Sequence, residues 1–432
     1  TRAMNIFSPC GGFSTLRRGK TPVNAWSVSW SAFLKRSQDV QSKLMENGVT
    51  ALTGIFFLLL CLAPASMDGL FLAVPAVIFY LLWKEKRIAS FFLDPPLLGL
   101  LAFIVLALLN VLLGAGDYSK AVKLGRWIPP FLLGKFFVWK CPARLAPALL
   151  YGAGFIATLF AGAAILYALG LDSMGDASIT LDDPELTFKN LSRAALYAGL
   201  AAFILFCHFL EAPSLWYANL PPTLFLAGVL ILAGRRATFS GFLACSALLL
   251  AARRKFVLLG LGLAVAVGGI IVLNQADRFN IAPEHLATHQ GVTERQSVWY
   301  AAWKIFQEHP VLGAGVGTFR KKSDPFVQEW FARHPQHQRH EILSEPHNVI
   351  LHTLAENGLA GTLLLLLVFA GAGATVWKAR HATPGALCLC GCLGLVFVHI
   401  QLQVHTVTNV AVLIFLLLGM ARGLVPAPEQ PS

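Results

Sequence analysis

Charge is scarce in this chain. Asp, Glu, Lys and Arg make up 13% of its 432 residues, and 56% are hydrophobic. A soluble domain cannot bury that much apolar surface, so lipid must be part of its solvent. Cysteine is missing from one whole region. The eight cysteines are Cys10, Cys61, Cys141, Cys207, Cys245, Cys388, Cys390 and Cys392, and none lies in the polar stretch 275–347. A disulfide-stapled outer domain is thereby excluded. Cys388, Cys390 and Cys392 alternate inside an apolar run and read as small packing residues. Solenoid-type repeats and Gly/Ser linkers are lacking too, which favours one membrane domain with an embedded loop.

What is present is a series of apolar runs. Spans are expected near 49–65, 68–83, 95–114, 120–138, 145–169, 191–210, 218–234, 237–252, 256–274, 349–377, 385–403 and 407–422. The fold class is therefore an all-α polytopic membrane protein of about twelve transmembrane helices, with one large loop between the ninth and tenth. The expected organisation is a cytoplasmic segment 1–48, spans one to nine over 49–274, an outer loop 275–347, spans ten to twelve over 348–423, and a cytoplasmic tail 424–432. Residues 1–48 are polar and mixed, so the first apolar run is expected to act as an uncleaved insertion signal. Trp26, Trp30, Phe33 and Leu34 suggest a surface-lying helix there, the alternative being an unstructured tail.

The net charge is +12, which in a soluble protein would raise nucleic acid. Here the basic residues cluster in short loops, at Lys84/Lys86/Arg87, Lys140/Arg144, Arg253/Arg254/Lys255 and Lys378/Arg380. The intervening turns at 64–68, 114–119 and 171–186 lack this bias. The pattern is the positive-inside rule, with both termini cytoplasmic, and it implies membrane lipids and no nucleic acid as partners.

Some cations break that rule. Lys120, Lys123 and Arg126 sit at the outer end of the fourth span, with Lys123 and Arg126 on one helix face. Arg193 opens the sixth span, Arg235 and Arg236 lie between the seventh and eighth, and Arg295 lies in the outer loop. Ionisable groups at membrane depth are costly and tend to be functional, and several converging cations suit a pyrophosphate. The alternative for each is snorkelling to lipid headgroups.

The outer loop carries eight Lys/Arg and eight Asp/Glu. Its His334, His337 and His340 recur every third residue, but with no cysteine and no acidic ligand at defined spacing they read as a wet amphipathic helix rather than a metal site. A helix is expected from Arg295 through Phe306, stopping at His309-Pro310. Gly313-Ala314-Gly315-Val316-Gly317 follows with no preceding strand, so a tight turn is expected rather than a nucleotide loop. His347 directly precedes Asn348 and an apolar helix. That puts an imidazole at the water–membrane boundary, where the helix N-terminus favours its neutral, proton-accepting form. The alternative is a capping or interface histidine.

The run from Glu345-Pro346-His347-Asn348 through Ala355-Glu356-Asn357-Gly358-Leu359-Ala360-Gly361 resembles the signature of the O-antigen ligase superfamily. The segment from Arg295 to Phe319 resembles the stretch that precedes it there, and Arg236 falls at the family's arginine position, with Arg235 in place of a small residue. The resemblance implies a GT-C-type enzyme of the bacterial inner membrane, its loop and active site facing the periplasm. It implies en bloc glycan transfer from undecaprenyl pyrophosphate to lipid A–core, with inversion and without metal or other cofactor. His347 is then the general base, Arg295 a catalytic cation, and Arg236, Arg235, Arg126, Lys123 and Arg193 the pyrophosphate-binding set. An O-antigen polymerase or a protein O-oligosaccharyltransferase of the same superfamily would share these residues. A transporter or flippase is the reading from another class, but the odd charges gather at helix ends rather than in two related midplane positions.

Overall fold

The computed structural model describes residues 68–168, 191–232, 236–264, 290–335, 345–402 and 409–425. All of them belong to one compact unit spanning residues 49–432. Every regular element among them is helical, and the principal helices are α1 (Asp68–Lys84), α2 (Pro95–Leu112), α3 (Tyr118–Leu124), α4 (Ile128–Lys140), α5 (Leu145–Ala168), α6 (Leu191–Glu211), α7 (Trp216–Leu232), α8 (Arg236–Ala252), α9 (Gln290–Glu308), α10 (Phe319–Arg333), α11 (Val349–Ala379), α12 (Ala386–Leu402) and α13 (Asn409–Arg422).

Five stretches are long and apolar enough to cross a membrane: Pro95–Leu112, Pro142–Ile165, Ala194–Glu211, Pro213–Ile231 and Val349–Ala379. Ala73–Lys84, Ala237–Ala252, Ala386–Gln401 and Val410–Arg422 are shorter apolar helices. These coincide with nine of the expected spans, and the architecture is that of a polytopic membrane protein. Residues 256–264 begin another helix on an expected span. The expected span 49–65, the segment 1–48, the acidic stretch 171–186 and the end of the ninth span lie outside the described residues.

The fourth expected span differs from its reading. Residues 118–140 are one short helix, a 3₁₀ turn at Gly125–Trp127 and a second helix. Pro129 and Pro130 cannot donate to the preceding turn, so the chain restarts its helix there, with proline in the first turn. Lys123 and Arg126 consequently sit on different elements, not on one helix face.

α4 and α13 pack more intimately than any other pair, and Gly134 and Gly419 explain why. A Cβ on Gly134 would strike the Leu416 carbonyl, and one on Gly419 the Phe131 carbonyl. Small residues bring the two backbones together, as lipid-embedded packing requires in the absence of a hydrophobic drive between helices. At the end of the bundle remote from the loop, Asp94, which precedes α2, is buried between Lys135 (3.4 Å) and Arg422. The Arg422 guanidinium also donates to Gly371 O at 3.1 Å and to Thr375. Asp94 and the Arg422 that it holds together therefore tie α2, α4, α11 and α13.

The described part of the loop forms a small core of its own. Val298, Ala302 and Ile305 of α9 pack with Phe319 and Val327 of α10 and with Ala355 of α11. α10 ends at Arg333, so His334 caps it instead of continuing an amphipathic helix. Its ring stacks on Trp330, and Nδ1 lies 2.8 Å from the Trp330 carbonyl oxygen. His337 and His340 lie outside the described residues.

Candidate active site

The loop is joined to the membrane helices through a break in α11. Gly358 has φ 63° and ψ −165° inside a helix of 31 residues. An unbroken helix would pair Ala355 O with Leu359 N–H and Glu356 O with Ala360 N–H. Here those four groups bond to the loop. Ala355 O accepts from Ala314 N–H (2.8 Å) and Glu356 O from Gly315 N–H (2.9 Å), while Leu359 and Ala360 N–H donate to Pro310 O (2.9 Å) and Val311 O (3.1 Å). All four groups freed by the kink thus keep a partner. The approach demands glycine on both sides: a Cβ on Gly313 would overlap the Glu356–Asn357 peptide, and one on Gly358 the Val311 carbonyl. Gly313, Gly315 and Gly317 all have positive φ, so the expected tight turn is present. Its far side is held by Asp117 N–H to Val316 O and by the Asn110 amide to Leu312 O, both at 2.8 Å.

His347 stands at φ 49°, in the left-handed region. Histidine tolerates this better than most side chains with a Cβ, but the position still carries strain. The helix cap is the next residue, Asn348, whose side chain accepts from Leu351 N–H at 3.0 Å. Trp299 of α9 donates its indole N–H to Pro346 O at 2.7 Å. Arg295 lies one helical turn before Trp299, so the same helix face carries its charge towards His347. Burial holds the His347 imidazole below its ordinary pKa, and the positive charges of Arg295 and His352 act in the same direction. The ring is therefore biased to the neutral form that accepts a proton.

Beside this segment a cavity opens between the glycine turn and the membrane helices. Its polar wall includes Lys120, Arg320, Glu345, His352, Glu356 and Asn357. Trp127 forms part of the floor, stacked between Phe103 (centroids 5.7 Å apart) and Phe415 (4.5 Å). His352 and Glu356 are one turn apart on α11, with Nε2 3.3 Å from Oε2. The other Glu356 oxygen accepts from Phe319 N–H at 3.1 Å. Burial pushes the Glu345 carboxyl above its ordinary pKa.

The residues expected from sequence divide into two groups. Arg295 and His347 are brought together. Arg126 sits in the 3₁₀ turn beside cavity-lining Trp127, and Lys123 is exposed at the end of α3; neither lines the cavity. Arg193 lies in the first turn of α6 and Arg236 opens α8. Their side chains, and Arg235 entirely, lie outside the described residues. Sequence reasoning missed Glu345, His352, Glu356 and Arg320 as site residues. A readable signal was there: His352 and Glu356 are a histidine and a carboxylate at i, i+4 within an otherwise apolar helix.

Comparison with known proteins agrees with the resemblance read from the sequence. Residues 221–366 match the family described as O-antigen ligase. That stretch runs from α7 to the first turns of α11 beyond the break, and includes Arg235, Arg236, Arg295, His347 and the His352–Glu356 pair. The chain is also similar to the O-antigen ligase of Pseudomonas aeruginosa, with 27% identity over 317 residues, 72% of each chain.

Proposed function

We propose that this chain is an O-antigen ligase, a metal-independent GT-C-type glycosyltransferase of the bacterial inner membrane. Its donor is a glycan on undecaprenyl pyrophosphate and its acceptor a sugar hydroxyl of lipid A–core. Transfer occurs at the periplasmic face, which carries the loop, and both termini are cytoplasmic. The observation that carries this reading is the setting of His347: strained, biased to the neutral form, beside Arg295, and inside the stretch that matches the family.

In the reaction the acceptor oxygen attacks the anomeric carbon, and His347 takes its proton. The bond from that carbon to the pyrophosphate oxygen breaks, and undecaprenyl pyrophosphate leaves with the electron pair. Direct displacement inverts the centre. Pyrophosphate is a good leaving group, so acid assistance matters less than fixed cations for the developing charge. Arg295 and Arg236 fill that role, with Arg126, Lys123, Arg193 and Arg235 as further contributors. Loss of one such donor costs roughly a hundredfold or more, and loss of the base about a hundred- to ten-thousandfold.

The acceptor decides between this reading and a polymerase. Purified protein is supplied with lipid-linked glycan, with and without rough lipopolysaccharide, in EDTA. Extended lipopolysaccharide is the expected product. Growth of the glycan on its own carrier, without modified lipopolysaccharide, would move the assignment to polymerase.

A further inference from the structure

We propose that the exposed stripe Gln296, Trp303 and Gln307 of α9 is a carbohydrate-binding subsite, which holds the sugars of the acceptor between the membrane surface and His347. It rests on the ligase reading for the identity of that acceptor. None of the three residues belongs to the catalytic or pyrophosphate-binding set.

Three observations carry it. The first is the composition of the stripe. At 3.6 residues per turn, Val298, Ala301, Ala302 and Ile305 form the buried face of α9. Gln296, Trp303 and Gln307 fall together on the opposite face, and all three are exposed. Lys304 and Glu308 lie on a flank. An uncharged strip of amides around an indole plate therefore stands on a loop otherwise dense in charge. A sugar ring matches it: its C–H face stacks on an aromatic plate, and its hydroxyls pair with planar amides.

The second is that the plate is available. Tyr300, the neighbouring aromatic, has its ring covered by Lys304 (5.6 Å) and Arg333 (5.8 Å), and its hydroxyl donates to Glu329 at 3.1 Å. Trp330 is stacked on His334 at 4.3 Å. Trp303 meets Phe306 at a tilt of 43°, with centroids 5.3 Å apart. That contact braces the indole and leaves 47% of the residue exposed.

The third is the place. The segment 358–377 of α11 is about 30 Å long, the thickness of a hydrocarbon core. Trp377, with the Arg380 guanidinium 4.2 Å from its ring centroid, marks the inner edge. The break at Gly358 then marks the outer edge, and the Leu359 N–H to Pro310 O bond fixes the end of α9 there. Trp299, bonded to Pro346 O, is level with the His347 segment. Trp303 and Gln307 lie one and two turns from it towards the membrane, about 6 and 12 Å along the helix axis. A sugar chain rooted in the outer leaflet and ending at His347 passes along this length. Gln296 stands at the reacting end, next to Arg295.

The rival role for Trp303 is an anchor in the lipid interface, and a sugar chain without lipid separates the two. The test uses purified full-length protein and, as probe, the core oligosaccharide of rough lipopolysaccharide freed of lipid A. Wild type should bind it, with saturation transfer to the sugar protons by NMR. Trp303→Leu keeps the apolar bulk and loses the flat ring, so it should weaken binding about three- to tenfold; Trp303→Phe should keep most of the affinity. Gln296→Ala and Gln307→Ala should each weaken it about two- to fivefold. The side chains are exposed, so unfolding temperatures should stay at the wild-type value. In transfer assays Trp303→Leu should raise the KM for rough lipopolysaccharide by a similar factor, with kcat and donor affinity little changed. Wild-type oligosaccharide affinity in Trp303→Leu overturns the proposal, and so does a wild type that fails to bind the lipid-free oligosaccharide. Trp303-dependent sugar binding without transfer to lipopolysaccharide sinks the ligase reading and leaves the subsite standing. His347-dependent transfer with Trp303-independent sugar binding does the reverse.

Discussion

Ala355 O and Leu359 N–H, partners in any unbroken helix, bond instead to Ala314 N–H and Pro310 O of the loop. The break in α11 is thus the joint by which the loop is fixed to the membrane helices. It also sets the direction of the first turns of α11, which carry His352 and Glu356, and of the segment bearing His347 just before them.

Alanine at Gly358 or Gly313 should therefore unseat the loop. A side chain at these positive-φ positions costs about 1–3 kcal/mol, and at both it would also overlap backbone. We expect a clearly lowered unfolding temperature for purified Gly358→Ala and Gly313→Ala, with transfer activity lost in proportion. Gly125→Ala, at a glycine with open space around the added carbon, serves as the control and should leave stability nearly unchanged.

The pH dependence follows from the sign of the His347 shift. Its pKa lies below the ordinary 6.5, so the proton-accepting form persists to lower pH than a free imidazole would allow. The acid limb of the kcat/KM profile should fall below that value. Arg295→Ala removes one of the charges that depress the pKa, so the limb should move to higher pH, on top of any loss of rate. Arg295→Lys retains the charge and should hold the limb near its wild-type position.

Much of this could be read from the sequence, and the exceptions have physical reasons. Long apolar runs locate helices well, because a bilayer leaves the backbone few alternatives. The break at 125–127 was signalled by Pro129-Pro130, and His347 by its position between a proline and an apolar run. Gly358 was not signalled, since a lone glycine is compatible with a continuous helix and its conformation here is dictated by the docked turn. Lys120 and Arg320 share a wall only through that docking, a long-range contact that spacing does not encode. His352 and Glu356 did leave a signal, a histidine and a carboxylate at i, i+4 in an apolar run, but the mean hydropathy of the segment averages it away.

The Trp299–Pro346 hydrogen bond offers a test of positioning at a distance from the chemistry. Trp299→Phe keeps the ring and deletes the N–H that holds the His347 segment to α9. A single hydrogen bond is worth about 0.5–1.5 kcal/mol net, so kcat should fall roughly two- to tenfold with donor affinity little changed. An unaltered kcat would show that α9 does not position His347.

At the other end of the bundle, Asp94→Ala leaves Lys135 and Arg422 buried without their carboxylate. Breaking a buried ion pair from one side typically costs about 3–5 kcal/mol. Purified Asp94→Ala should unfold at a much lower temperature than wild type. Adding Lys135→Met, which removes the more deeply buried of the two uncompensated cations, should recover part of the loss.

The most direct test of the account is single-turnover glycan transfer by purified His347→Ala beside wild type, with lipid-linked donor binding measured on the same preparations. The account predicts transfer reduced by about a hundredfold or more with donor affinity essentially unchanged. Transfer at the wild-type rate in His347→Ala would contradict it, and would take the role of general base away from His347.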